Sequence, residues 1–342
     1  MKNGPWRITF DTNPDDCNLK CIMCEDHSPY SLTQMNRLQA GIHKRRMEID
    51  LIRKILADSI STPLQEIIPS TMGEPLLYQH FDEIIALCHK YKIKLNLTTN
   101  GTFPRKSVER WAHDLIPITS DIKISWNGAS KIVQEKIMLG SKWEKILNNL
   151  KKFIMIRNNY AKNNTNYCQI TLQMTFLETN LKELENIVQL GINIGVDRIK
   201  GHHLWAHFKE IKSLSMRRNK ESINRWNKAV IKAKKIANNN QLPNGNFIKL
   251  VNIDLLDESA HQDLSPGGVC PFLGKEAWVA SDGKFNPCCA PDKERNQLGY
   301  FGNLKNQTMN SIWESQAYQY LQKNYMQYAV CKGCNMRKNK NF

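Results

Sequence analysis

The sequence predicts an α/β fold in which strands and helices alternate in a partial barrel. Three observations support this prediction. Short apolar, β-branched segments recur along residues 6–205, helical apolar repeats separate them, and polar or glycine-containing turns close most of them. Such alternation predicts parallel strands joined by right-handed crossovers. Six repeats predict a partial (β/α)6 barrel of the TIM type, in which the strand ends facing the active site carry the chemistry.

Each element of the predicted barrel rests on a local pattern. The first strand, WRITF, combines apolar and β-branched residues. The six predicted strands cover residues 6–10, 64–71, 94–100, 118–128, 168–176 and 197–205. Ile and Leu recur at helical spacing between them. The predicted helices cover residues 48–60, 79–91, 104–114, 142–157, 181–190 and 216–237.

The composition changes after the sixth strand. We predict a barrel domain over residues 1–215, a linker helix and loop over residues 216–251, and a small α+β domain over residues 252–342. Cysteine, glycine and proline become dense in this last part. A chain of 342 residues is long enough for one large core or two moderate ones.

Hydropathy and cysteine content indicate the compartment. Hydrophobic residues make up 41% of the chain, without a run of about 18 that crosses a bilayer. The first residues, MKNGPWRITF, lack the apolar stretch of a signal peptide. We therefore expect a cytoplasmic protein with no membrane partner. Ten cysteines in such a chain indicate metal or redox chemistry sooner than structural disulfides.

The net charge of +16 has one dense source, the basic run at residues 217–235. Its spacing suits a solvated helix face above a buried apolar stripe. The predicted stripe comprises Ile223, Trp226, Val230, Ile231 and Ile236. A partner that is acidic or a nucleic acid is the alternative explanation of the run, and it is less favoured than the solvated face.

Three cysteines follow the first strand at C-x3-C-x2-C spacing: Cys17, Cys21 and Cys24. Three thiolates at this spacing suit three corners of a cubic iron–sulfur cluster, whose fourth iron is then open to an outside ligand. Structural zinc is the alternative, with His27 close enough in sequence to be a fourth ligand. The cluster is the favoured interpretation.

Polar motifs follow the next three strands. Gly73-Glu74-Pro75 follows the second strand, Thr98-Thr99-Asn100-Gly101 the third, and Ser125-Trp126-Asn127-Gly128 the fourth. With the three cysteines, these motifs resemble those of the radical S-adenosylmethionine (radical SAM) superfamily over residues 6–205. The resemblance implies a 4Fe–4S cluster held by Cys17, Cys21 and Cys24. S-adenosylmethionine would chelate the open iron and be reductively cleaved to methionine and a 5′-deoxyadenosyl radical.

The resemblance also implies cofactor contacts. Glu74 matches the residue that accepts a hydrogen bond from the cofactor's ammonium group, and Gly73 would line its methionine portion. Asn100 belongs to the third motif, while Ser125 and Asn127 match ribose-binding positions. The chain departs from the family pattern at Met72, where a glycine is usual, and at Met23, where an aromatic residue is usual. Aspartate is frequent at the position of Asn127, so a carboxylate contact would become an amide contact.

A second cysteine set lies near the C-terminus. Cys288 follows a predicted Asp-Gly hairpin, and Cys331-x2-Cys334 forms a knuckle. With Cys270 these four thiols suffice for a fully ligated 4Fe–4S cluster or for zinc. The pattern resembles the SPASM and twitch domains that follow many radical SAM barrels. The shorter twitch form, with one auxiliary cluster, fits better because no cysteine follows Cys334.

The remaining cysteines and a histidine group leave alternatives open. Cys289 is either a spare buried thiol or alternative ligand, or a hydrogen-atom donor to a substrate radical. His202 and His203, at the end of the sixth strand, either contact substrate and move protons or serve the structure. Cys88 and Cys168 are predicted core residues.

These features predict a radical SAM oxidoreductase or epimerase with one auxiliary cluster. The predicted substrate is small and resembles a sugar, cyclitol or aminoglycoside, because few residues precede the first cysteine. A peptide maturase or epimerase using Cys289 is the alternative. A flavodoxin- or ferredoxin-type protein would supply electrons. A zinc- or cluster-stabilised nucleic-acid-binding protein is the alternative from a different class, and it predicts salt-dependent binding without cofactor cleavage.

Overall fold

The computed structural model describes residues 3–163, 166–257, 268–334 and 336–337, which form two compact units. The first unit comprises Met1–Pro14, Lys44–Leu95 and Asp263–Phe342, and the second comprises Asp15–His43 and Asn96–Gln262. The predicted domain division stays a prediction. Part of its last domain, at residues 258–267, 335 and 338–342, lies outside the described residues.

Strands and helices alternate over the part of the chain where alternation is predicted. The strands are β1 (Arg7–Phe10), β2 (Lys20–Cys21), β3 (Glu66–Ile68), β4 (Lys94–Thr99), β5 (Thr119–Ser125), β6 (Met138–Leu139), β7 (Gln169–Phe176), β8 (Arg198–His203), β9 (Lys249–Val251), β10 (Glu276–Val279) and β11 (Phe285–Asn286). The helices are α1 (Thr33–Gln39), α2 (Ile49–Ser59), α3 (Phe81–Tyr91), α4 (Val108–Leu115), α5 (Lys131–Ile137), α6 (Trp143–Asn163), α7 (Glu178–Leu181), α8 (Leu184–Ile194), α9 (Lys220–Asn239), α10 (Asp292–Arg295), α11 (Met309–Trp313), α12 (Gln316–Asn324) and α13 (Ala329–Lys332).

In the first unit, β1 lies between two parallel neighbours, β3 and β10. Arg7 aligns with Glu66 of β3 and with Glu276 of β10, and it ion-pairs with both at 2.8 and 2.5 Å. Ile8 and Phe10 are fully buried on the opposite face. β10 turns back into the antiparallel β11 through Gly283, whose φ of +89° suits the predicted Asp-Gly turn.

In the second unit, β5, β7, β8 and β9 are parallel neighbours in that order. One face of these strands is apolar, with Ile124, Leu172 and Ile199 fully buried. Gly201 belongs to this face, and a Cβ at its position would lie 2.1 Å from the Phe176 ring. Glycine therefore allows the aromatic ring to pack directly on β8.

The helix α9 packs on this apolar face through Trp226, whose ring centroid lies 4.6 Å from that of Phe176. Ile223 and Val230 are buried as predicted. Ile231, which was predicted to join them, is exposed because it lies on another side of the helix. Several of the basic residues in and before the helix form ion pairs within the chain: Arg218 and Arg225 with Glu178, Lys232 with Glu185, and Lys234 with Asp254. These pairs fit a solvated helix face.

The predicted α/β class is confirmed, and each of the six predicted strands contains an observed one. The predicted helix 104–114 begins later, at Val108, because Phe103 and Arg105 have φ values of +46° and +71° that no α-helix accommodates. The Ser107 side chain caps the first turn. No helix in the described ranges combines the length and apolar character needed to cross a bilayer.

Candidate functional site

The three-cysteine loop is anchored by an apolar cluster in the second unit. Cys17, Cys21 and Cys24 are half-buried, and Cys21 lies in β2, which pairs with β6. Between the cysteines, Leu19 is 2% exposed and packs in a cluster with Ile137 and Met138. One buried leucine therefore fixes the loop while its thiols stay accessible.

The hydrogen bonds of this loop suit iron–sulfur ligands. The backbone N–H of Leu19 donates to Cys17 Sγ at 3.5 Å, and that of His27 donates to Cys24 Sγ at 3.4 Å. Burial, together with the nearby Cys24 and Cys17, raises the pKa of Cys21 well above its usual range. The thiols are thus close enough to interact, and N–H donors aimed at sulfur favour and tune bound clusters. The donor set fits a cluster with one open iron.

His27 gives the zinc alternative little support. Its Nδ1 lies 2.9 Å from the side-chain amide of Gln34, so one ring nitrogen already has a protein partner. In the described ranges, no three His, Cys, Asp or Glu side chains adopt the close arrangement that holds a single metal ion. The seven cluster ligands assigned from sequence stay a prediction at the level of individual residues.

Asn100 joins the end of β4 to the cysteine loop. Its Nδ2 donates to Asn18 Oδ1 at 2.8 Å and lies 4.0 Å from Cys17 Sγ. The next residue, Gly101, has a φ of +78°, and a Cβ there would lie 3.0 Å from methyl groups of Ile124 and Ile146. The third motif therefore contacts Cys17, the first of the predicted cluster ligands.

Glu74 lies in a tight turn of the first unit and is 1% exposed. Gly73 has a φ of +78°, which positions the turn, and Glu74 Oε1 accepts from the backbone N–H of Leu76 at 3.2 Å. Asn13 Nδ2 donates to the carbonyl oxygen of Glu74 at 3.0 Å. The predicted contact with the cofactor ammonium stays a prediction.

Asn127 is a buried link between two strand ends, 2% exposed. Its Oδ1 accepts from the backbone N–H of Thr175 at 2.9 Å, and its own N–H donates to Gln134 Oε1 at 2.7 Å. A ribose hydroxyl would therefore either share this oxygen with Thr175 or accept from the amide nitrogen. Ser125 is half-buried at the end of β5, on the polar face of the strands.

The second cysteine set lies in the first unit and repeats the N–H···S pattern. Backbone N–H groups donate at 3.4 Å to the sulfurs of three predicted ligands, Cys270, Cys288 and Cys334. Burial and the neighbouring thiols raise the pKa of Cys288 to about 11 and that of Cys331 to about 12. The four thiols interact with one another, so this donor set also fits a cluster.

Cys289 differs from its neighbours because it is exposed, whereas the four predicted ligands are half-buried. An exposed cysteine thiol is mostly protonated near neutral pH, so Cys289 offers an S–H group.

His202 and His203 lie on opposite faces of β8. His203 packs between the rings of Phe176 and Trp226, with centroids 5.3 and 4.8 Å away. Burial, with a smaller contribution from Arg217, lowers its pKa to about 3. His202 is exposed on the polar face. Only His202 is thus placed to meet a ligand on that face.

Asp11 is a buried carboxyl group that the sequence predicts only as part of a turn. It follows β1, is 6% exposed, and accepts a hydrogen bond from the Thr71 hydroxyl. Burial raises its pKa to about 6, against the opposing effects of Thr71, Arg45 and Arg295. Its place directly after a predicted strand was the sequence signal that could have marked it as a candidate functional residue.

A basic cavity of about 590 Å³ adjoins the three-cysteine loop in the second unit. Its lining includes Asn18 and Leu19 of that loop together with Arg105, Lys142 and Lys145. Arg105, Lys142 and Lys145 are exposed. The surface beside the three-cysteine loop is therefore positively charged.

Matches to protein-family models identify the class of this protein. Residues 14–191 match the Radical SAM superfamily, and residues 270–335 match SPASM, an iron–sulfur cluster-binding domain. The first match covers more than half of the chain, and the chain belongs to the radical SAM superfamily. The predicted family and cofactors are confirmed: a cluster that binds S-adenosylmethionine, an auxiliary cluster, and S-adenosylmethionine itself. A single auxiliary cluster stays a prediction.

Two solved proteins share the fold at low sequence identity. Streptococcus suis SuiB bound to S-adenosylmethionine is 14% identical, with a TM-score of 0.64 over 98% of this chain and 73% of SuiB. The protein anSMEcpe with bound AdoMet is 15% identical, with a TM-score of 0.63 over 97% of this chain and 88% of that protein. No curated protein matches the sequence.

Proposed function

We propose that this protein is a radical SAM epimerase that inverts one carbon centre of a small polar substrate. Cys17, Cys21 and Cys24 would hold the first cluster, and Gly73, Glu74, Asn100, Ser125 and Asn127 keep their predicted roles as contacts of S-adenosylmethionine. When bound, these cofactors supply a 5′-deoxyadenosyl radical, which removes a hydrogen atom from a substrate C–H bond. The observation that carries the proposal is the exposure of the Cys289 thiol beside predicted cluster ligands that are half-buried.

Cys289 would complete the inversion by giving a hydrogen atom to the opposite face of the substrate radical. A new C–H bond forms and the S–H bond breaks, which is favourable because S–H is the weaker bond. One electron from a flavodoxin- or ferredoxin-type donor and one proton from solvent then restore the thiol. The substrate keeps its oxidation state, while one electron and one S-adenosylmethionine are consumed in generating the radical.

Dehydrogenation is the second candidate, favoured by the four interacting half-buried thiols of the C-terminal set. A cluster bound there would supply the capacity to accept one electron. The substrate would lose a hydrogen atom, then a proton and an electron, and leave oxidised by two electrons. This candidate gives Cys289 no role in the chemistry, so replacing that residue separates the two functions.

The hydroxyl and amide groups on the polar face of β7 support a small polar substrate of the sugar, cyclitol or aminoglycoside kind. Gln173 is half-buried there, and Thr175 lies one step further along the strand. A peptide substrate is the alternative. It is supported by SuiB solved with its precursor peptide SuiA and by anSMEcpe solved with a peptide.

Anaerobic reconstitution tests the proposed chemistry. Two 4Fe–4S clusters predict about eight irons per chain. Reduction with dithionite in the presence of S-adenosylmethionine should then release methionine and 5′-deoxyadenosine in equal amounts. Zinc without iron, or a reduced and fully loaded protein that leaves S-adenosylmethionine intact, contradicts the proposed function.

The electron donor is proposed to dock at the basic cavity beside the three-cysteine loop. Charge attraction speeds the encounter of a basic surface with an acidic electron-transfer protein. We expect the double replacement Lys142→Glu and Lys145→Glu to slow reduction of the first cluster by flavodoxin hydroquinone about tenfold at low salt. Stopped-flow absorbance would measure this rate.

Two controls make this docking test specific. Reduction by dithionite should be unchanged in the double variant. The matched variant with Lys228→Glu and Lys235→Glu, two exposed lysines of α9, changes net charge equally and should keep the flavodoxin rate. Equal slowing in both double variants would assign the effect to net charge and reject the docking site.

A further inference from the structure

Two N–H donors of the first unit are buried in the stretch of chain around Cys288. Asn286 is 3% exposed and Arg295 is 8% exposed. Asn286 Nδ2 and Arg295 Nε have no hydrogen-bond acceptor in the described ranges. Buried donors in folded proteins nearly always have an acceptor. Each of these nitrogens therefore marks a place where a bound group can supply one.

Asn286 belongs to a sheet face beside the predicted ligands of the auxiliary cluster. It is aligned with Trp278 of β10, so the two side chains share one face of the sheet. The Trp278 ring meets the Phe272 ring edge-on, with centroids 5.6 Å apart. Phe272 follows Cys270 by two residues, and Cys288 follows Asn286 by two. The amide nitrogen is therefore close to the segments that carry two of the four predicted ligands.

Arg295 is a buried cation whose acidic partner is shared with a second arginine. Its Nη2 donates to Asp292, whose side chain is 57% exposed. Asp292 Oδ2 also lies 3.9 Å from Arg45 Nη1, so this carboxylate is both shared and solvated. Burial raises the pKa of Cys288, and the charge of Arg295 opposes that rise. The guanidinium group therefore lies within electrostatic reach of a predicted ligand.

We propose that Arg295 and Asn286 donate hydrogen bonds to sulfur atoms of the auxiliary cluster and raise its reduction potential. A 4Fe–4S cluster with four thiolate ligands is negatively charged, and reduction adds one more negative charge. A nearby cation and N–H donors stabilise the reduced form most, because it carries the larger charge. Both residues act through the cluster, so the inference goes beyond the proposed function and is the same for epimerisation and dehydrogenation.

A redox titration of the reconstituted holoenzyme, followed by electron paramagnetic resonance, tests this inference. The auxiliary cluster is the reducible signal that persists in Cys17→Ala. We expect Arg295→Met to make its reduction about tenfold less favourable or more, which is about 59 mV or more for one electron. Arg295→Lys should stay within about threefold of wild type, because the charge remains. Asn286→Leu should cost about threefold, as expected for one neutral hydrogen bond.

The matched control is Lys293→Met, which removes an exposed lysine of the same helix, α10. Its reduction should stay within about twofold of wild type, because solvent screens an exposed charge. Three results would overturn the inference: an unchanged potential in Arg295→Met, an equal shift in Lys293→Met, or no iron in Cys17→Ala. If Arg295→Met does not retain the auxiliary cluster, Asn286→Leu decides, and an unchanged potential there rejects the inference. The titration needs no substrate, so a failed epimerase proposal leaves its result separately readable.

Discussion

Replacing Cys17 with alanine should remove the first cluster and abolish cleavage of S-adenosylmethionine. The three-cysteine loop offers one thiol for each of three irons, and no other described cysteine is predicted to replace a lost one. Iron in the reconstituted protein should fall from about eight to about four per chain. Formation of 5′-deoxyadenosine, measured by chromatography after dithionite reduction, should fall to the level without enzyme.

Cys88→Ala is the matched control for that experiment. Cys88 lies in α3, is 1% exposed, and packs in the core as predicted. Its replacement removes a thiol without removing a predicted ligand, so iron content and cofactor cleavage should stay at wild-type values. Retention of eight irons and of cofactor cleavage in Cys17→Ala would show that the three-cysteine loop is not the radical-generating site.

Replacing Cys289 with alanine should separate radical formation from product formation. Cleavage of S-adenosylmethionine should stay within about twofold of wild type, because Cys289 is predicted to act only after hydrogen abstraction. Epimer formation from a substrate that supports turnover should disappear, as followed by chiral chromatography. Cys289→Ser should fail equally, because its O–H bond is too strong to give a hydrogen atom to a carbon radical.

Cys168→Ala controls for the loss of a thiol in general, since Cys168 is fully buried in the second unit. It should keep both radical formation and epimerisation in proportion to its folded fraction. Unchanged product formation in Cys289→Ala would reject the epimerase proposal and favour dehydrogenation.

The strand ends of the barrel were predictable because local patterns specify them. Ile8 and Phe10 alternate with polar residues in β1, and motifs such as Thr98–Gly101 follow strands directly. The parallel pairing of β1 with β10 was not predictable, because Arg7 and Glu276 are far apart in sequence. No local signal reports a contact of that separation.

The chemistry of single residues was harder to predict than their position. Strand alternation implies that His202 and His203 face opposite sides, but only the packing of His203 against Trp226 shows which side is covered. Asn127 matches a ribose-binding position by sequence, yet its oxygen is used by Thr175. Sequence patterns do not report which hydrogen bonds a side chain has already made.

The most direct test of the account is the isotopic composition of the product made in deuterated water. The S–H group of Cys289 exchanges with solvent, so the inverted centre should carry one deuterium. The 5′-deoxyadenosine should carry the substrate's own hydrogen. Mass spectrometry and proton NMR of both products would measure this. An inverted product without solvent deuterium, or a product oxidised by two electrons, would contradict the proposed role of Cys289.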